Sequence, residues 1–79
     1  MKIVKVLAEQ SIPLPSDVYR WECVEVVRTA DAVPKGDKYI KHRDGAWFVY
    51  RKSKVHLATP RYIGRYVNFL SAVHSCRVV

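Results

Sequence analysis

The sequence predicts an α+β fold: a small antiparallel sheet of about four strands with one C-terminal amphipathic helix packed on one face. Three observations carry this expectation. A short apolar run opens the chain (residues 2–8), an Asp-Gly turn joins two runs of β-formers (residues 38–52), and a longer segment after Thr59 has a helical period. At 79 residues the chain supports one core, so residues 1–79 are read as a single domain. A domain of this size buries only about 60% of the surface its unfolded chain exposes, so its stability is expected to be modest.

The first strand is expected near residues 2–8. Val4, Val6 and Ala8 fall on one face and Ile3 and Leu7 on the other. Apolar residues on both faces imply a strand that is well covered. Pro13 and Pro15 remove backbone donors and end it. Residues 18–28 are ambiguous: Ser16 could cap a helix, but the helical face through Val18, Trp21, Glu25 and Arg28 is mixed. The density of Val18, Tyr19, Trp21, Val24, Val26 and Val27 favours a strand. Residues 29–37, with Pro34 and Gly36, read as a loop.

The third and fourth strands, near 38–43 and 46–52, form a hairpin. Asp44-Gly45 supplies the two positive-φ residues that a type I′ turn needs. That register puts Tyr39, Lys41, Arg43, Ala46, Phe48 and Tyr50 on one face, and Ile40, His42, Trp47 and Val49 on the other. One of these faces must be core, because two exposed apolar faces would aggregate. The Ile40/Trp47/Val49 face is the expected core. Ser53 to Ala58 extends the strand or begins a short fifth one.

The helix is expected near residues 60–75, with Thr59 as N-cap and Pro60 at the first helical position. Tyr62, Ile63, Tyr66, Val67, Phe69, Leu70, Val73 and His74 then share one arc, with Leu70 near its middle. The opposite arc carries Arg61, Gly64, Arg65, Asn68, Ser71, Ala72 and Ser75.

Charge is unevenly placed. The formal net charge is +7. Residues 1–34 hold four basic and five acidic side chains, whereas residues 35–79 hold ten basic ones against Asp37 and Asp44. A concentrated positive field attracts polyanions. The apolar run needed to cross a bilayer, roughly 20 residues, is absent from the sequence, and the N-terminus does not read as a signal peptide. The expected location is therefore the cytoplasm, with Cys23 and Cys76 as reduced thiols.

No spacing imposes a nucleophile–base pair, and no glycine-rich phosphate loop occurs. His74-x-Cys76 is a two-ligand fragment, short of the paired ligands a zinc site uses. The expectation is a non-enzymatic binding protein without catalytic residues, metal or cofactor. The expected surface is Tyr39, Lys41, Arg43, Tyr50, Arg51, Lys52 and Lys54 of the hairpin region, with Arg61 and Arg65 at the helix start. Interleaved aromatics and cations offer bases a stacking platform and phosphates their counter-charges, so nucleic acid, preferably single-stranded, is the expected partner. The alternative is a small regulatory or inhibitory protein, of the kind common among phage and mobile-element accessory proteins. It would dock the same basic surface on an acidic protein surface, for example to block a host enzyme or defence complex.

Overall fold

The computed structural model describes residues 3–8, 24–55 and 58–78. It is α+β, with strands β1 (Val4–Leu7), β2 (Val24–Val27), β3 (Lys38–Arg43), β4 (Ala46–Arg51) and β5 (Arg61–Tyr66), and one α-helix, α1 (Phe69–Arg77). A single turn of 3-10 helix, Ala30–Ala32, lies between β2 and β3. The expected four antiparallel strands are corrected to five in a mixed sheet, ordered β2-β1-β3-β4-β5.

β1 pairs in parallel with both β2 and β3, while β3–β4 and β4–β5 are antiparallel. The two-sided apolar character of β1 has its reason here. Val4 and Val6 point into one core and Leu7 into another, each 5% exposed or less. The connection from β2 to β3 crosses β1 on the face away from α1, where its Val33 packs with Leu7, Val27 and Tyr39.

The hairpin takes the register expected of it, from Lys38 opposite Arg51 to Arg43 opposite Ala46. Asp44 (φ 51) and Gly45 (φ 73) both occupy the positive-φ region of the turn. The Ile40/Trp47/Val49 face is the core under α1, joined by Val4, Val6, Val24, Phe69, Ala72, Val73 and Cys76.

The expected helix over 60–75 is overturned for its first half. Residues 61–66 form the edge strand β5, and α1 starts only at Phe69. Thr59 and Pro60 precede that strand. The helix cap is Asn68, whose side-chain oxygen accepts from the Leu70 N–H at 2.8 Å. Tyr62, Ile63, Tyr66 and Val67 are β-formers, and Gly64 would weaken a helix. Gly64 also has a packing role: a Cβ there would sit 3.1 Å from the Tyr66 hydroxyl, which reaches over to Ser75 of α1. The true helix buries Phe69, Ala72, Val73 and Cys76, a proper i, i+3, i+4, i+7 stripe. Leu70, expected at the centre of the arc, is 45% exposed.

Residues 53–55 and 58 are not strand, so the fifth strand is not the one suspected over 53–58. Ser16, Cys23, His56 and the first part of the 18–28 strand lie outside the described residues. No helix among the described residues is long and apolar enough to cross a membrane.

Candidate functional site

With α1 on one face, the other face of the sheet presents the odd-numbered side of β3 and its partners. Phe48 and Tyr50 of β4 emerge there beside Tyr62 of β5, which pairs opposite Tyr50. The three rings pack on one another: Phe48–Tyr50 centroids are 6.5 Å apart, Phe48–Tyr62 6.3 Å and Tyr50–Tyr62 5.8 Å. Phe48 and Tyr50 are half-buried, and Tyr62 is 56% exposed.

A β-bulge in β5 shapes this cluster. Val49 pairs with Gly64 but Tyr50 pairs with Tyr62, so Ile63 is an extra residue that packs against the helix-side core. Without it, the alternation along β5 would place Tyr62 and Arg65 on opposite faces. With it, both stand on the ring face, Arg65 opposite Phe48.

Cations surround the rings. The Arg43 guanidinium lies 4.9 Å from the centroid of Phe48, a cation–π contact. Its Nε is also 3.7 Å from Asp44, but both groups are exposed and such a pair is weak. Lys41 is half-buried on the same face, opposite Phe48 across the β3–β4 ladder. No acidic residue occurs after Asp44, so β4, β5 and α1 carry no negative side chain.

The nine residues expected to form a binding surface do not all meet. Lys41, Arg43, Tyr50 and Arg65 share the ring face. Tyr39 also points that way but is 6% exposed, covered by Leu7, Val27 and Val33, and therefore unavailable to a ligand. Burial pushes its phenol pKa up, with the nearby Tyr50 hydroxyl a smaller cause. Lys52 is committed to the fold: its Nζ donates to the carbonyls of Ala30 (2.6 Å) and Val33 (2.8 Å), tying down the β2–β3 crossover. Arg51 and Arg61 face each other on the helix side of the sheet, near its edge. Lys54 is exposed, its stem lying against Gly36. Arg61 and Arg65 sit on an edge strand rather than at a helix start, which corrects that part of the expected surface.

The sequence does not single out Tyr62, because a helical period places it on an apolar arc with Ile63 and Tyr66. Its signal was the run Tyr62-Ile63 after Pro60, rich in β-formers and interrupted by Gly64. Among the described residues, no group of three or more His, Cys, Asp or Glu side chains is placed to hold a metal ion. No protein-family model, curated protein or solved structure matches the chain.

Proposed function

We propose that this chain binds single-stranded nucleic acid on the sheet face opposite α1. The observation that carries the reading is the packed trio Phe48, Tyr50 and Tyr62, beside the part of the sheet face that the β2–β3 crossover covers, rimmed by Lys41, Arg43 and Arg65. Bases stack on ring faces whatever their sequence, and cations around the rings meet the phosphates between them. A double helix suits this surface less well, because its bases are already stacked on one another. Arg43 can serve both ends of the contact, lying on Phe48 while its outer nitrogens reach for phosphate.

The test is a fluorescence-anisotropy titration of a labelled single-stranded oligonucleotide against its duplex. The single strand is expected to bind more tightly, and the Tyr62→Ala variant to lose affinity for it while melting normally. Equal affinity of wild type and Tyr62→Ala would remove the reading.

The second reading, a small regulatory or inhibitory protein docking on an acidic protein surface, is supported by a different observation. A shallow groove of about 590 Å³ runs along the outer flank of α1, lined by Tyr66, Leu70, Ser71, His74, Ser75 and Val78 with Lys38. Exposed apolar side chains beside a single cation, Lys38, suit a protein partner better than a nucleic acid. Binding that survives nuclease treatment and is lost on Leu70→Asp would favour it.

A further inference from the structure

Lys38, Arg51 and Arg61 are successive cross-strand partners on β3, β4 and β5, so three cations leave the helix-side face of the sheet at one register. Like charges directly opposite one another in a sheet are destabilising. Among the described residues, none of the three cations forms an ion pair with an acidic side chain. A cavity of about 300 Å³ is lined by these three side chains with Tyr62 and Ile63. A second, of about 200 Å³, shares Arg51 and Arg61 and adds Lys52 and Lys54. Among the described residues, no Asp or Glu lines either cavity.

The contacts these cations make are with neutral groups. Lys38 Nζ donates to the Ser75 carbonyl at 3.0 Å and to that of Val78, capping the C-terminus of α1. Arg51 Nη1 donates to the Gly36 carbonyl at 3.1 Å, and among the described residues its other nitrogens have no partner of their own. Arg61 is exposed and has no hydrogen bond or ion pair among the described residues. Hydrogen bonds to carbonyls orient the charges without cancelling them.

Tyr62 joins this cluster to the ring platform. It packs with Phe48 and Tyr50 and also lines the basic cavity, because β5 is the outer strand of the sheet. We infer that Arg51 and Arg61, with Lys38 held to α1 at the same register, form a subsite for the terminal phosphate of the single strand whose bases lie on the platform. The inference rests on the single-strand reading above and specifies which strands the protein prefers. A terminal phosphomonoester carries about −1.5 to −2 charge at pH 7 and three acceptor oxygens, more than the single charge of an internal diester. Neighbouring cations discriminate in favour of the higher charge, and the two guanidinium forks suit its several oxygens.

The experiment compares one oligonucleotide sequence with a 5′-phosphate, a 3′-phosphate or two hydroxyl ends, titrated into the full chain. A hydroxyl-ended strand one nucleotide longer, which adds an internal diester, controls for charge alone. One phosphorylated end is expected to bind roughly fivefold tighter than the longer control, about the worth of one good exposed charge contact. Arg61→Gln should bring that ratio close to one while the hydroxyl-ended strand still binds, and Arg61→Lys should keep part of it. Equal affinity for phosphorylated and hydroxyl ends overturns the subsite and leaves the platform standing. A preference that survives Arg61→Gln also overturns it, and failure of every strand to bind removes platform and subsite together.

Discussion

The ring of Tyr50 is stacked on that of Tyr39, with centroids 5.7 Å apart and planes 25° from parallel. Tyr39 is buried beneath the β2–β3 crossover and Tyr50 is half-exposed beside Phe48 and Tyr62. The exposed rings are therefore extensions of a small second core rather than loose surface side chains. Rings held in place before binding lose little side-chain freedom when a base stacks on them, which favours affinity.

Tyr39 and Tyr62 should consequently respond oppositely to truncation. Tyr39→Ala removes a buried ring between Leu7, Val27 and Val33 and is expected to cost about 3–5 kcal/mol, a large part of the stability of so small a domain. Tyr62→Ala should shift stability by less than about 1 kcal/mol but weaken strand binding by about 1–3 kcal/mol. Denaturant melts and binding titrations of both variants check this. A Tyr39→Ala protein as stable as wild type would show that the second core is not built as described.

A pH dependence follows from the same ring. The folded-state pKa of Tyr39 lies above the ordinary value of 10.0, chiefly because burial disfavours the phenolate. Between the unfolded and folded values the native state holds more protons, so stability falls as pH rises. Below the unfolded value this contribution is constant. The difference in denaturation midpoint between wild type and Tyr39→Phe should therefore stay flat from about pH 7 to 9 and change, against the wild type, above about pH 10. A difference that is flat throughout would remove the claim.

The helix offers a paired comparison. Val73 is 1% exposed in the core under α1, whereas Leu70 points outward at 45%. Val73→Ala should cost about 2 kcal/mol, and Leu70→Ala no more than about 0.5 kcal/mol. Thermal melts of the two proteins decide it, and a reversed order would mean that α1 is rotated on the sheet.

What could be read from the sequence was local. The hairpin was legible because Asp44 and Gly45 fix both turn and register, and every pair then follows by counting. β5 was hidden by its own bulge. Ile63 breaks the alternation, so the core-facing Ile63, Gly64 and Tyr66 followed by Phe69 imitate the spacing of a helix. The direction of β1 was illegible because burial on both faces reports coverage, not which neighbour runs parallel. Tyr39 and Lys52 passed for surface groups because what engages them, Val33 and the carbonyls of Ala30 and Val33, comes from a crossover 6 to 22 residues away in the chain.

That last distinction supplies the sharpest test of which cations meet phosphate. Lys41, Arg43 and Arg65 rim the platform, and three phosphate contacts on a single strand imply a log–log salt slope of about −2, at roughly −0.7 per contact. If Arg51 and Arg61 join them through the edge cluster, five contacts imply a slope of about −3.5. Arg65→Gln should make the slope shallower by about 0.7. Lys52→Met removes the same formal charge, but its Nζ is already held by two backbone carbonyls inside the fold. It should lower the melting temperature and leave the salt slope of the folded protein almost unchanged. Measuring both variants over a series of salt concentrations separates a charge that binds from a charge that builds. A slope altered equally by the two substitutions would mean that net charge alone, and not the placement of these residues, governs association.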